Sequence, residues 1–270
     1  MGFFDVVDEI AGKQIQKTET GDNRIFGVAV GTVAKNFDQN MPGRVCVTVP
    51  TRDEEANELK WARVCLTSGG NGWGHYFLPE VGDQVLLAFE QGNMERPYVI
   101  GCILKDNDRF LKKAADEDNT FKKITTKNGS TITFEDKKEG EGEKDKILIS
   151  TAKDMHRIEL DNEKHTVQIS DKEGKNRITM KTEAGQMELL AEKKLTIQVG
   201  DNIQMILNGS SGTVQLKADK LKVEAGNSVG ISGNSKVKLN GGNVTVEAGS
   251  MLKLSSSGAV TVEGMPIRLG

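Results

Sequence analysis

The chain has 270 residues, thirty of them glycine, with 36 basic and 39 acidic side chains and a formal net charge of −3. That near-neutral balance gives no electrostatic reason to expect nucleic acid or an anionic membrane as partner, and the glycine count beside 5% aromatic residues fits a turn-rich all-β protein. Three cysteines, Cys46, Cys65 and Cys102, are an odd set without CxxC spacing; they read as buried apolar residues of a reducing compartment, neither disulfides nor metal ligands.

Residues 1–23 lack the basic flank and long apolar core of a signal peptide, and no apolar run reaches membrane-span length, so synthesis in the cytoplasm without general secretion is expected. Phe3, Val6, Val7 and Ile10 recur at helical spacing among Asp5, Asp8 and Glu9. This predicts a short amphipathic helix, packed on its own domain or offered as an arm to another protein.

Residues 24–104 predict five strands, at Ile25–Val33, Arg44–Val49, Leu59–Leu66, Gln84–Phe89 and Tyr98–Leu104, with turn-forming residues between them. Five short strands in so few residues suggest a small closed barrel of the oligonucleotide/oligosaccharide-binding (OB) type. Nucleic-acid binding would need aromatic platforms and a basic groove. Trp61, Trp73, Tyr76 and Phe77 are the available aromatics, and Asp53, Glu54, Glu55 and Glu58 place negative charge near them. The Gly-rich run Ser68–Gly74 is followed by no Lys-Ser/Thr and no helical pattern, so it reads as a surface loop and not as a phosphate cradle.

Residues 105–123 form a polar connector. From Ile124 onward apolar-x-apolar triplets begin, first widely spaced, as in Ile132/Phe134, Ile147/Ile149 and Ile158/Leu160. The insert Asp136–Lys146 is a charge run that reads as a solvated hairpin loop, and His156 and His165 as exposed side chains and not a metal pair. Beyond Val214 the triplets return roughly every eight residues: Val229/Ile231, Val237/Leu239, Val244/Val246, Leu252/Leu254, Val260/Val262 and Ile267/Leu269. Gly, Asn, Ser and Lys lie between them, and residues such as Lys253 point to the opposite face from Leu252 and Leu254. A strand with one narrow apolar face needs cover from other strands. A single-chain β-helix supplies it by coiling; three chains wound about a common axis supply it by donating one strand each per layer, and the near-constant octad favours the second.

Two stretches carry a family resemblance. Trp61-Ala62-Arg63-Val64, then Leu78-Pro79-Glu80-Val81-Gly82-Asp83-Gln84-Val85, then Gly92-Asn93-Met94-Glu95-Arg96-Pro97-Tyr98-Val99-Ile100-Gly101 resemble the OB domain of contractile-tail spikes, the phage baseplate assembly protein V and VgrG type. The octads resemble the trimeric β-prism of the same family. Pro79, Gly82 and Asp83 are expected to turn the chain into the fourth strand, Gly92 and Pro97 into the fifth. Arg96 is expected to bond loop carbonyls, and Gly101 to let backbones approach closely.

The resemblance implies an all-β fold: an OB barrel (24–104), then an intertwined trimeric triple-stranded β-helix (124–270) with Val229, Ile231, Val237, Leu239, Val244, Val246, Leu252, Leu254, Val260 and Val262 in the trimer core. It implies a non-enzymatic spike without cofactor, at the baseplate of a phage tail-like or type VI-like machine, that punctures a target envelope. The roughly twenty connector residues leave no room for the lysozyme domain some members carry, and no histidine after His165 supplies the metal-binding tip of others. A PAAR-type tip protein is therefore expected on Pro266, Ile267, Arg268, Leu269 and Gly270, and a separate hub protein on Phe3, Phe4, Val7 and Ile10. A single-chain β-helix acting on carbohydrate and an OB nucleic-acid binder are the rival readings.

Overall fold

Residues 24–49 and 58–268 are described by a computed structural model. The segment with Phe3, Phe4, Val7 and Ile10 lies outside those residues, as do Leu269 and Gly270. Within them, alternation of apolar and polar side chains builds β1 (Val28–Lys35), β2 (Arg44–Val49) and β3 (Glu58–Val64), and, beyond a two-residue hairpin of β4 (Gly69–Gly70) and β5 (Trp73–Gly74), β6 (Gln84–Phe89) and β7 (Pro97–Ile103). Five of these close into a barrel in the order β1-β2-β3-β7-β6, every pair antiparallel except β3 with β7. This is the OB closure.

Inward-facing Val33, Val45, Val47, Val49, Ala62, Val85, Leu87, Phe89 and Val99 form the barrel core. Gly31 has a packing reason to be glycine, since a Cβ there would stand 2.7 Å from both Leu87 Cδ1 and the Thr48 carbonyl oxygen. The expected strands are all present, the first starting at Val28 instead of Ile25. The Gly-rich loop is not featureless, because it holds the β4–β5 hairpin.

The connector contains a helix the polar reading did not anticipate, α1 (Arg109–Ala114), and the next strand opens at Phe121. β8 (Phe121–Thr125), β9 (Thr131–Glu135), β10 (Lys146–Ser150), β11 (His156–Asp161), β12 (Thr166–Asp171), β13 (Arg177–Lys181) and β14 (Gln186–Leu190) form one antiparallel meander. The charge run from Asp136 is the loop of the β9–β10 hairpin. The chain divides into two compact units at Glu192/Lys193. In the second unit β15 (Lys194–Val199), β16 (Ile203–Asn208) and β17 (Thr213–Lys217) form a three-stranded meander.

Where one strand per layer from each of three chains is expected from Ile124, residues 121–217 instead pair within their own chain. The cause is local: connections as short as Thr126–Ser130 and Asn162–His165 return the chain beside the strand it has just left. Past Lys217 the behaviour changes. Among the described residues no strand pairing and no backbone–backbone hydrogen bond occurs within 220–268. The chain there bends at 226–227, 234–235, 242–243, 249–250, 257–258 and 265–266, between the apolar triplets, and does not coil on itself as a single-chain β-helix would.

Candidate functional site

Three surfaces stand out, and each follows from how the strands place their side chains. The first is a cleft of about 460 Å³ at one end of the barrel, lined by Arg44, Trp61, Arg63, Glu90, Glu95, Arg96, Pro97 and Tyr98. Strand register gathers it: Arg63 lies opposite Arg44 on β2 and Tyr98 on β7, while Glu90 to Pro97 is the turn joining β6 and β7. Arg96 Nη1 donates to Glu90 Oε1 at 3.0 Å, the Tyr98 hydroxyl donates to Glu90 Oε2 at 3.1 Å, and Arg63 Nη1 donates to the Tyr98 hydroxyl at 3.3 Å. Lys60 is ion-paired with Glu95. The hydrogen bond from Tyr98, followed by that from Arg96, holds the Glu90 carboxyl below its ordinary range.

Four motif residues, Trp61, Arg63, Arg96 and Pro97, thus meet at this end, with Gly92 in the same turn at φ +79. Pro79, Gly82 and Asp83 sit at the opposite end of β6, where Asp83 N–H donates to the Glu80 carbonyl at 3.0 Å across a turn that has Gly82 at φ +95. Two expectations are corrected. The Arg96 guanidinium bonds the Glu90 carboxylate, and the loop carbonyl of Asn93 is bonded instead by the Arg96 backbone N–H, at 3.0 Å. Gly101 is not a point of close approach, since a Cβ there would meet nothing within 4 Å; it flanks an irregularity in the β6–β7 register.

The second surface is the aromatic loop that ends in Trp73, Tyr76 and Phe77, with Trp73 66% exposed and Tyr76 65%. His75 stacks on Phe77 at 4.7 Å between ring centroids. Phe77 also lines a cavity of about 480 Å³ with Ile124, Ile132, Ile149, Ile158 and Ile169, so the loop runs into the third surface.

That third surface is one face of the seven-stranded sheet. Register sets Ile124, Ile132, Ile149, Ile158, Ile169, Ile178 and Leu189 side by side across all seven strands. A second row runs Phe134, Ile147, Leu160, Val167, Met180 and Met187. Every residue of the first row is exposed, Ile169 to 48%. The polar face is the better covered one, with Thr133, Ser150, Asp161, Ser170 and Thr179 buried under charged side chains. Lys146 Nζ lies 3.0 Å from Asp161 Oδ2, and Lys181 Nζ 2.6 Å from Glu188 Oε1. A sheet that buries threonine and exposes isoleucine inverts the usual partition, and a contiguous apolar face of this kind marks an interaction surface.

The octad residues share that exposure. Val229, Ile231, Val237, Leu239, Val244, Val246, Leu252, Leu254, Val260 and Val262 are all exposed, from 52% at Val237 to 76% at Leu254. Toward the end of the described chain, Pro266, Ile267 and Arg268 are exposed too. No cluster of three or more His, Cys, Asp or Glu suited to a metal ion occurs among the described residues, and none of their helices is long and apolar enough to cross a membrane.

Comparison with known proteins agrees with the barrel. Residues 29–104, from β1 through β7, match the family model of the type VI secretion system/phage-baseplate injector OB domain. Similar curated proteins of Pseudomonas aeruginosa include the type VI secretion system spike protein VgrG1c, 27% identical over 124 residues, which covers 42% of this chain and 17% of that protein. VgrG1b is 27% identical over 146 residues, covering 50% and 19%, and VgrG1a 30% identical over 79 residues, covering 28% and 12%. The chain spans less than a fifth of the length of these relatives.

Proposed function

We propose, for a chain whose barrel is an injector OB domain of the baseplate and VgrG spike family, the role of a non-enzymatic structural spike that works as a homotrimer in a contractile injection machine. The observation that carries this reading is the stretch 218–268, where apolar triplets alternate with bends while the backbone makes no strand pairing of its own. A backbone with unpaired N–H and C=O groups and one apolar side requires other strands, and three copies about an axis supply them to every octad alike. The exposed row from Ile124 to Leu189 asks for the same cover.

In this role the mechanism is mechanical. Contraction drives the spike into a target envelope, and a shaft with every strand edge paired across chains has no frayed edge at which loading starts to unfold it. A hub protein met by Phe3, Phe4, Val7 and Ile10, and a small PAAR-type tip protein seated on Pro266 to Gly270, complete the proposed assembly; the resemblance to injector spikes supports both. The decisive experiment is the solution mass of the purified chain by light scattering, with and without residues 124–270. The expected result is a trimer that becomes monomeric on truncation. A full-length monomer at micromolar concentration would overturn the proposal.

A further inference from the structure

The barrel has two distinct ends. At one, Glu80 Oε2 lies 2.8 Å from Lys127 Nζ and Phe77 lies against Ile124 and Ile132, so this end faces the seven-stranded sheet. β6 leads away from it, and at about 3.3 Å per residue its six residues carry the chain about 20 Å to the cleft at Glu90–Pro97. The cleft therefore looks away from the sheet.

Its charges do not cancel. Glu90 is taken up by Arg96 and Tyr98, and Glu95 by Lys60. Arg44 and Arg63 remain, directly opposite each other on β2 and β3; among the described residues neither lies within ion-pair distance of a carboxylate, and the Arg63 charge adds only the smallest share to the lowering of Glu90. Like charges placed opposite on neighbouring strands are unfavourable. Arg63 is steadied by the Tyr98 hydroxyl and lies 6.0 Å from that ring's centroid, which holds its guanidinium at the cleft. Two guanidiniums line the cleft with Trp61, each able to pair a carboxylate in bidentate geometry, and an acid bound there removes their repulsion. A single-stranded nucleic acid fits less well, because it needs a succession of aromatic platforms along a basic groove, and the aromatic side chains lining this cleft are Trp61 and Tyr98 alone.

We infer that this end of the barrel docks an acidic peptide segment of a neighbouring protein, with Arg44 and Arg63 receiving its carboxylates. The inference rests on the spike reading only in supposing that a second protein continues the assembly at this end. The test uses the full-length chain, a fluorescein-labelled octaglutamate peptide and fluorescence anisotropy at low and high salt. Saturable binding is expected, weakened by salt and weakened at least about tenfold in the Arg44→Gln/Arg63→Gln double variant, while Lys236→Gln in the octad stretch leaves it unchanged. Absence of saturable binding at low salt, or equal binding by the double variant with its melting temperature retained, would overturn it. Equal affinity for an octathymidine strand would overturn the acidic-peptide assignment. Light scattering on the same samples separates the two readings: Arg-dependent binding by a monomeric chain leaves the docking site standing and the trimeric spike refuted.

Discussion

Asp161 closes β11 with a side chain fully shielded from solvent, against Lys146 at 3.0 Å and Lys164 at 3.3 Å, and its Oδ1 accepts the Lys164 amide at 3.0 Å. Burial alone would raise its pKa; the Lys164 amide and the Lys146 and Lys164 ammoniums together outweigh that and hold it below the ordinary carboxylate range. A depressed folded value means its contribution to stability is complete above about pH 4, the unfolded value, and is lost as pH falls through the folded one. Asp161→Asn should therefore narrow the difference between melting temperatures at pH 7 and pH 3, followed by circular dichroism. At Gly31 the constraint is space: Gly31→Ala must displace Leu87 and the Thr48 carbonyl, and should cost about 1–3 kcal/mol in a denaturant titration. Neither role was legible in the sequence, because an aspartate beside a turn and a glycine in a strand look alike whether exposed or buried. The turn at Gly82 was legible, since Pro79, Gly82 and Asp83 impose it through backbone preferences carried by those residues alone.

For the strands, the apolar pairs Ile132/Phe134, Ile147/Ile149 and Ile158/Leu160 read from the sequence all lie in strands. Which strand lies beside which was harder to read. The hairpins depend on short turns, and their registers set one isoleucine of each of six strands in a single row. Ile158 stands in the middle of that row between Ile149 and Ile169. If the row is covered by neighbouring copies, Ile158→Asp places a charge in an apolar interface and should shift the full-length mass in light scattering from trimer toward monomer. If the face stays exposed, the same change should alter stability by no more than about 0.5 kcal/mol and leave the mass untouched.

At the level of the whole molecule, the octads make two further predictions. Val237→Asp with Val244→Asp should abolish the trimer, since three copies of each acid would meet within one layer; a variant that stays trimeric would show those side chains to face outward. Amides of residues 220–268, which have no intrachain backbone partners, should be protected from hydrogen exchange only in the assembled form, and exchange freely in a dissociated variant. By itself the sequence determined the all-β class, the closed barrel, its turns and the eight-residue rhythm beyond Val214, because strand alternation, turn chemistry and repeat period are local properties. Only the tertiary structure decided that Trp61, Arg63 and Arg96 share one cleft while Pro79 and Asp83 sit at the other end, that residues 121–217 pair within the chain, and that 218–268 do not. Those outcomes depend on register and closure, which join residues far apart in the chain and leave no mark on the residues between them.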